Sequence, residues 1–279
     1  MNWFDKISGT YLANSFGMEA IFTLNIPAIT SFLLTLIRVS LLVFLLPFYG
    51  GENIPPTVKG ALCIMLSLAV WPHLSFPGSY LPAHPLGLIL LIFGELLVGL
   101  MLGLFVHFIF AGIQTGGQLM GFQMGFSMMQ VADPMSGQQI SGISHLLYMV
   151  AVVVFLTLDG HLFLLQALTS SFAIMPPGGF FARPVLISEI ITLSGQMFIL
   201  ALKVAGPILA ALFLIELALA LMARAAPQMN LLIIGMPIKI AVGFFFMFIV
   251  FALLARTIEE SIYDIGPVFR HLLLMSAPE

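Results

Sequence analysis

The chain has 279 residues, 61% of them hydrophobic and 8% charged, with a mean hydropathy of +1.14; soluble domains carry about a quarter charged residues, so a water-soluble fold is all but excluded. Nine Lys and Arg against twelve Asp and Glu give a formal net charge of −3. That leaves no basic excess to neutralise phosphates, and no nucleic acid is expected as a partner.

The N-terminal stretch contains Asp5, Lys6, Asn14 and Glu19 and lacks the basic start and unbroken apolar run of a cleavable signal, so the first strongly apolar segment is expected to direct the chain to the membrane. A helix that crosses the hydrocarbon core needs about 20 residues. Residues 27–47, 86–113, 190–222 and 231–254 reach that length, and 58–74 is marginal. Its Cys63 has no intramolecular partner and is expected to pack as a small hydrophobe. Residues 143–158 and 162–174, separated only by Asp159-Gly160-His161, are each too short to cross alone and read as a kinked span or a shallow hairpin. Turns are expected at 50–56, at 77–85 and at Pro176-Pro177-Gly178-Gly179. In hydrocarbon every backbone amide needs an internal partner, and these unalternating runs have no barrel periodicity, so the fold class is all-α, built from hydrophobic helical hairpins.

Residues 111–139 do not read as a lipid-facing helix, because Gly and Gln replace aliphatic residues. Gly117, Gly121 and Gly125 recur every four residues, as do Met120, Met124 and Met128, and Phe122 and Phe126 form a third ladder. On a helix such ladders run along separate faces. Small residues let another backbone approach closely, and unbranched Met reshapes around what it touches. Two readings stand side by side: a close-packed interior helix whose Met residues fill gaps, or a movable gasket in a conduit. Gln114, Gln118, Gln123 and Gln130 need partners or water in either case.

Arg38, Glu95, Lys203, Glu216 and Lys239 lie within apolar runs, where an isolated charge costs about 2.5 to 3.5 kcal/mol even on insertion scales, so they must pair or meet water. Structural pairing within the chain or between subunits is favoured over an ion relay. Lys203 and Glu216 fall on roughly opposite faces of a straight helix and are not expected to pair with each other, although Pro207 between them allows a bend. The chain carries no His-Glu-x-x-His and no Gly-x-Ser-x-Gly, and its six histidines show no pair at ligand spacing on one helix. No catalytic residue, metal or cofactor is expected.

Three stretches, in this order and spacing, resemble the FliR family of flagellar export-gate proteins and their injectisome relatives. They are Gly-Phe-Gln-Met-Gly-Phe-Ser-Met-Met-Gln-Val-Ala-Asp-Pro at 121–134, Asp159-Gly160-His161 followed by Ser170-Ser171-Phe172 and Pro176-Pro177-Gly178, and Arg224-Ala225-Ala226-Pro227-Gln228-Met229-Asn230 followed by Gly235-Met236-Pro237-Ile238-Lys239. The resemblance implies a structural and gating subunit of the type III protein export channel in the bacterial inner membrane, at the flagellar basal body, with injectisome membership as the alternative. It implies FliP-like, FliQ-like and FlhB-like partners, unfolded exported proteins as substrates, and membrane lipid around the complex. It divides the chain into a FliP-like part, 1–185, that includes the plug segment 111–139, and a FliQ-like hairpin with its tail, 186–279. It implies a pore plug or gasket at Gly117, Met120, Gly121, Phe122, Met124, Gly125, Phe126, Met128 and Met129. Arg224, Pro227, Gln228 and Asn230 form a turn expected to hold neighbouring subunits.

Overall fold

The computed structural model describes residues 26–47, 54–71, 85–126, 142–180, 183–226, 228 and 230–276. Among them are seven helices and no strand: α1 Ile26–Leu45, α2 Pro56–Val70, α3 Pro85–Gln123, α4 Gly142–Thr157, α5 Gly160–Ile174, α6 Pro184–Ala225 and α7 Leu231–Ser276. The all-α expectation holds. Four of the seven are long and apolar enough to cross a membrane, namely α1, α3, α6 and α7. The marginal segment forms the 15-residue α2, opened by Pro56 in its first turn, where a missing N–H costs nothing.

Helices α4 and α5 meet at a bend of 67°. Asp159 makes the bend with a left-handed φ of 56°, and its carbonyl accepts the N–H groups of Leu162 and Phe163 that begin α5. Gly160 is buried because the Phe155 ring occupies the space a side chain would need. The pair is bent at a single break, a geometry that a kinked span and a shallow hairpin share. After α5, Gly179 N–H donates to the Pro176 carbonyl at 3.0 Å, and Gly178 has φ +87° behind Pro177. Pro followed by a positive-φ Gly is the signature of a type II turn.

The chain forms two compact units. The first comprises the described residues within 1–103, 168–182 and 276–279. Here α1 packs on the first half of α3: a methyl group on Gly99 would stand 2.8 Å from the Arg38 carbonyl, and one on Gly103 would strike Leu45. Two glycines four residues apart thus bring two backbones together. Trp71 closes α2 onto α1, its indole N–H donating to Ser31 Oγ at 2.8 Å and its ring meeting Phe32 edge-on.

The second unit comprises the described residues within 104–167 and 183–275. Its centre is the second half of α3, with Val106, Phe110, Ile113, Met120 and Met124 all buried. The long helices exceed what apolar runs alone indicate. The expected span 190–222 extends at both ends to the 42 residues of α6, and 231–254 continues to the 46 of α7. In α7 the continuation is amphipathic. Leu254, Ile258, Ile262, Ile265, Phe269 and Leu272 are buried at helical spacing, while Arg256, Glu259, Glu260, Asp264 and Arg270 are exposed.

Candidate functional site

The Gly and Met ladders lie in the second half of α3, which runs on as regular helix to Gln123. Each Gly costs about 1 kcal/mol of helix propensity relative to Ala, and close packing offsets it. A methyl on Gly112 would lie 2.8 Å from the Met197 carbonyl of α6, and on Gly116 2.9 Å from the Ala201 carbonyl. On Gly117 it would lie 2.6 Å from Ser144 Cα of α4. Ser144 Oγ completes that seam by donating to the Gln114 carbonyl at 2.8 Å. The glycine faces are therefore occupied by α4 and α6 of the same chain.

Met120 and Met124 are fully buried. Met124 fills a socket on α7, where Gly243 leaves room: a methyl there would meet its Cε at 2.5 Å and its Sδ at 2.7 Å. For these two residues the interior-packing reading describes their position, and they anchor the helix end. Gly121 is buried too. Phe122 differs, with 60% of its surface exposed, and Phe126 is half-buried. The Phe ladder thus leads away from the packing that holds the Met ladder. Met128 and Met129 lie outside the described residues.

Gly125 does not pack like the other ladder glycines. Its φ is +92°, its N–H donates to the Phe122 carbonyl at 3.1 Å, and the Phe126 N–H reaches the Gly121 carbonyl at 3.0 Å. This is a Schellman stop, with Gly at the left-handed position just past the helix. A glycine closing a periodic run is a sequence signal for such a stop, masked here because the glycine also continued a four-residue repeat.

A polar clamp fixes the same helix end. Gln123 Nε2 donates to Glu216 Oε2 at 3.0 Å, and Lys239 Nζ donates to Glu216 Oε1 at 2.5 Å, so α3, α6 and α7 meet at one carboxylate. Lys203 takes no part, in keeping with its opposite helical phase from Glu216. It is exposed, with no partner among the described residues. Pro207 is accommodated within α6, which runs on as one helix to Ala225.

In the first unit Arg38 and Glu95 are both buried and joined two ways, Nε to Oε2 at 2.6 Å and Nη2 to Oε1 at 2.9 Å. Arg38 also donates to Ser171 Oγ and to the Met175 carbonyl, each at 3.1 Å, and its guanidinium lies 4.0 Å from the Phe172 ring centre. Four of the five guanidinium N–H groups are thus engaged, and the arrangement is a structural fastener. Ser171 and the Met175 carbonyl were not singled out by residue type, since they sit more than a hundred positions from Arg38.

At the turn between α6 and α7, Arg224, Gln228 and Asn230 are exposed. Asn230 caps α7 through its carbonyl, which accepts the Ile233 N–H at 3.2 Å. Pro227 lies outside the described residues. His161 follows the α4–α5 bend with a buried Nδ1 that has no hydrogen-bond partner among the described residues.

The family model of bacterial export proteins, family 1, matches residues 29–265. The chain is 33% identical over 249 residues to the flagellar biosynthetic protein FliR of Bacillus subtilis (strain 168), covering 88% of this chain and 95% of the relative. It is 31% identical to the FliR of Escherichia coli (strain K12), covering 82% and 87%. It is 29% identical to the surface presentation of antigens protein SpaR of Salmonella typhimurium, covering 77% and 80%.

Proposed function

The chain belongs to the bacterial export proteins, family 1, and is a membrane component of flagellar or type III export; from that premise we propose that it shapes and seals the entrance of the export pore, together with FliP-like and FliQ-like subunits. The observation that carries this reading is the division of labour at the end of α3. Met120 and Met124 are locked into the chain, Gln123 is held by the Glu216–Lys239 pair, and Gly125 stops the helix, while Phe122 is presented outward. A rigid root with an apolar, deformable tip is what a seal requires, because the tip must yield to a passing polypeptide without releasing its anchor. Phe122 and Phe126, followed by Met128 and Met129, form the seal in this proposal. Met120 and Met124, with Gly117, Gly121 and Gly125, hold and aim it.

The remaining expectations fit the same proposal. Residues 186–279 act as the FliQ-like hairpin, with Arg224, Pro227, Gln228 and Asn230 at its turn holding neighbouring chains, and 1–185 act as the FliP-like part. FlhB-like protein and unfolded export substrates are the further partners, and the bacterial inner membrane at the flagellar basal body is the site. The SpaR likeness supports an injectisome setting for the same role. An ion relay gains less support, since Glu95 and Glu216 each already hold a cation of the chain.

The test is a leak measurement. Cells carrying Phe122→Ser with Phe126→Ser, in an assembly of unchanged amount, are expected to take up a small dye or ions excluded by the wild type. An unchanged barrier in that intact assembly removes the sealing role.

A further inference from the structure

Of the five charges set within apolar runs, four pair with one another and one has no partner among the described residues. Arg38 is neutralised by Glu95, and Lys239 by Glu216. Lys203 sits near the middle of the 42-residue α6, exposed and without a partner among the described residues. Glu189 and Glu216, the nearest carboxylates along the helix, stand about 21 and 20 Å away at 1.5 Å per residue.

The surroundings of Lys203 are an open, tightly approachable face. Gly195, Ile199, Gly206 and Ala210 share its side of α6 at 3.6 residues per turn. A methyl group on Gly195 or Gly206 would meet nothing within 4 Å, unlike one on Gly112, Gly116 or Gly117 of α3, whose space is filled by the chain itself. Pro207 adds a second polar demand. It carries no N–H, so the carbonyl of Lys203 loses the donor that a regular helix supplies at that position.

From this geometry we infer that the Lys203 face of α6 receives an apolar helix of a different subunit that carries a carboxylate opposite Lys203. The inference rests on the reading of this chain as one subunit of an assembly, and it names the chemistry of one contact. Charge complementarity selects the occupant: an unpaired ammonium on an apolar helix needs a counter-charge at its own depth. The open glycines let that helix come close enough for direct pairing. A second copy of this chain does not fit, because Glu95 and Glu216, the carboxylates set within its apolar runs, are already engaged, and Glu189, Glu259, Glu260 and Asp264 lie outside those runs.

The experiment expresses the tagged full chain with its native neighbours and measures the subunits recovered with it from mild detergent. Lys203→Met is expected to lower the recovery of one neighbour by roughly tenfold or more. Lys203→Glu is expected to lose that neighbour and to regain it when one acidic residue in an apolar helix of the neighbour is changed to Lys. This exchange also decides the matter if the single variants accumulate poorly, because it restores the pair and the chain level together. Recovery of all neighbours at wild-type level with Lys203→Met overturns the inference. So does rescue of Lys203→Glu by an exchange within this chain, such as Asp133→Lys, which would make the pair internal. A wild-type chain that brings down no other subunit overturns the assembly reading itself, an outcome distinct from both.

Discussion

Arg38 shows most clearly what a buried charge demands. Its guanidinium is met by Glu95, Ser171, the Met175 carbonyl and the Phe172 ring, so its charge is neutralised and four of its five N–H groups are engaged. Replacing one member strands the other. Arg38→Met is expected to destabilise the protein by about 3 to 5 kcal/mol, while the double exchange Arg38→Met with Glu95→Met recovers much of the loss; thermal unfolding in detergent reads both. Equal destabilisation by single and double variants would show that the pair matters for shape instead of charge. Gly117 makes the matching argument for space, because the atom facing it is a backbone carbon, Ser144 Cα. Gly117→Ala forces α3 and α4 apart and is expected to cost about 1 to 3 kcal/mol. Gly60→Ala, with nothing within 4 Å, is expected to be neutral or stabilising by up to about 1 kcal/mol. Residue type announced that the five charges needed partners. It did not name them, since the partners lie 57 and 23 positions apart and only folding brings them together.

Among the elements, apolar length located all four long helices, and the short pair was legible from its broken run. The ends were not, for two physical reasons. A hydropathy run stops at the first charge, whereas a helix continues wherever one face stays buried, as α7 does past Arg256. Glycine lowers helix propensity, so the ladder read as a departure from a spanning helix until its neighbours supplied the compensation. Helix α7 is 46 residues long, about 69 Å at 1.5 Å per residue, more than twice the roughly 30 Å hydrocarbon core. Its apolar first half and amphipathic second half therefore meet different surroundings. In a Cys63→Ser background, Glu260→Cys is expected to react with a membrane-impermeant maleimide in opened vesicles, and Phe245→Cys is expected to stay unlabelled. Equal labelling of both would place the two halves in one environment.

At the level of the whole molecule, the exposed apolar surface is what marks this chain as a component. Phe198, Ile199, Leu202, Phe213 and Leu214 on α6, and Phe245 and Phe248 on α7, are all more than half exposed. Soluble monomers do not leave such surface uncovered, and lipid or neighbouring subunits must cover it. Membership of the export family was legible from three ordered motifs, each weak alone. Which ladder residues hold and which reach outward was not, because Gly, Met and Phe repeats share one period and only the packing separates them. In the proposed arrangement Phe122 faces the path of exported protein while Met120 and Met124 serve as its anchor. The most direct measurement places a photo-crosslinking amino acid at each of these three positions in cells holding a stalled export substrate. A crosslink to the substrate is expected from position 122 and none from 120 or 124. Crosslinks from the two buried positions, or silence at 122 with the assembly intact and the substrate engaged, would contradict it.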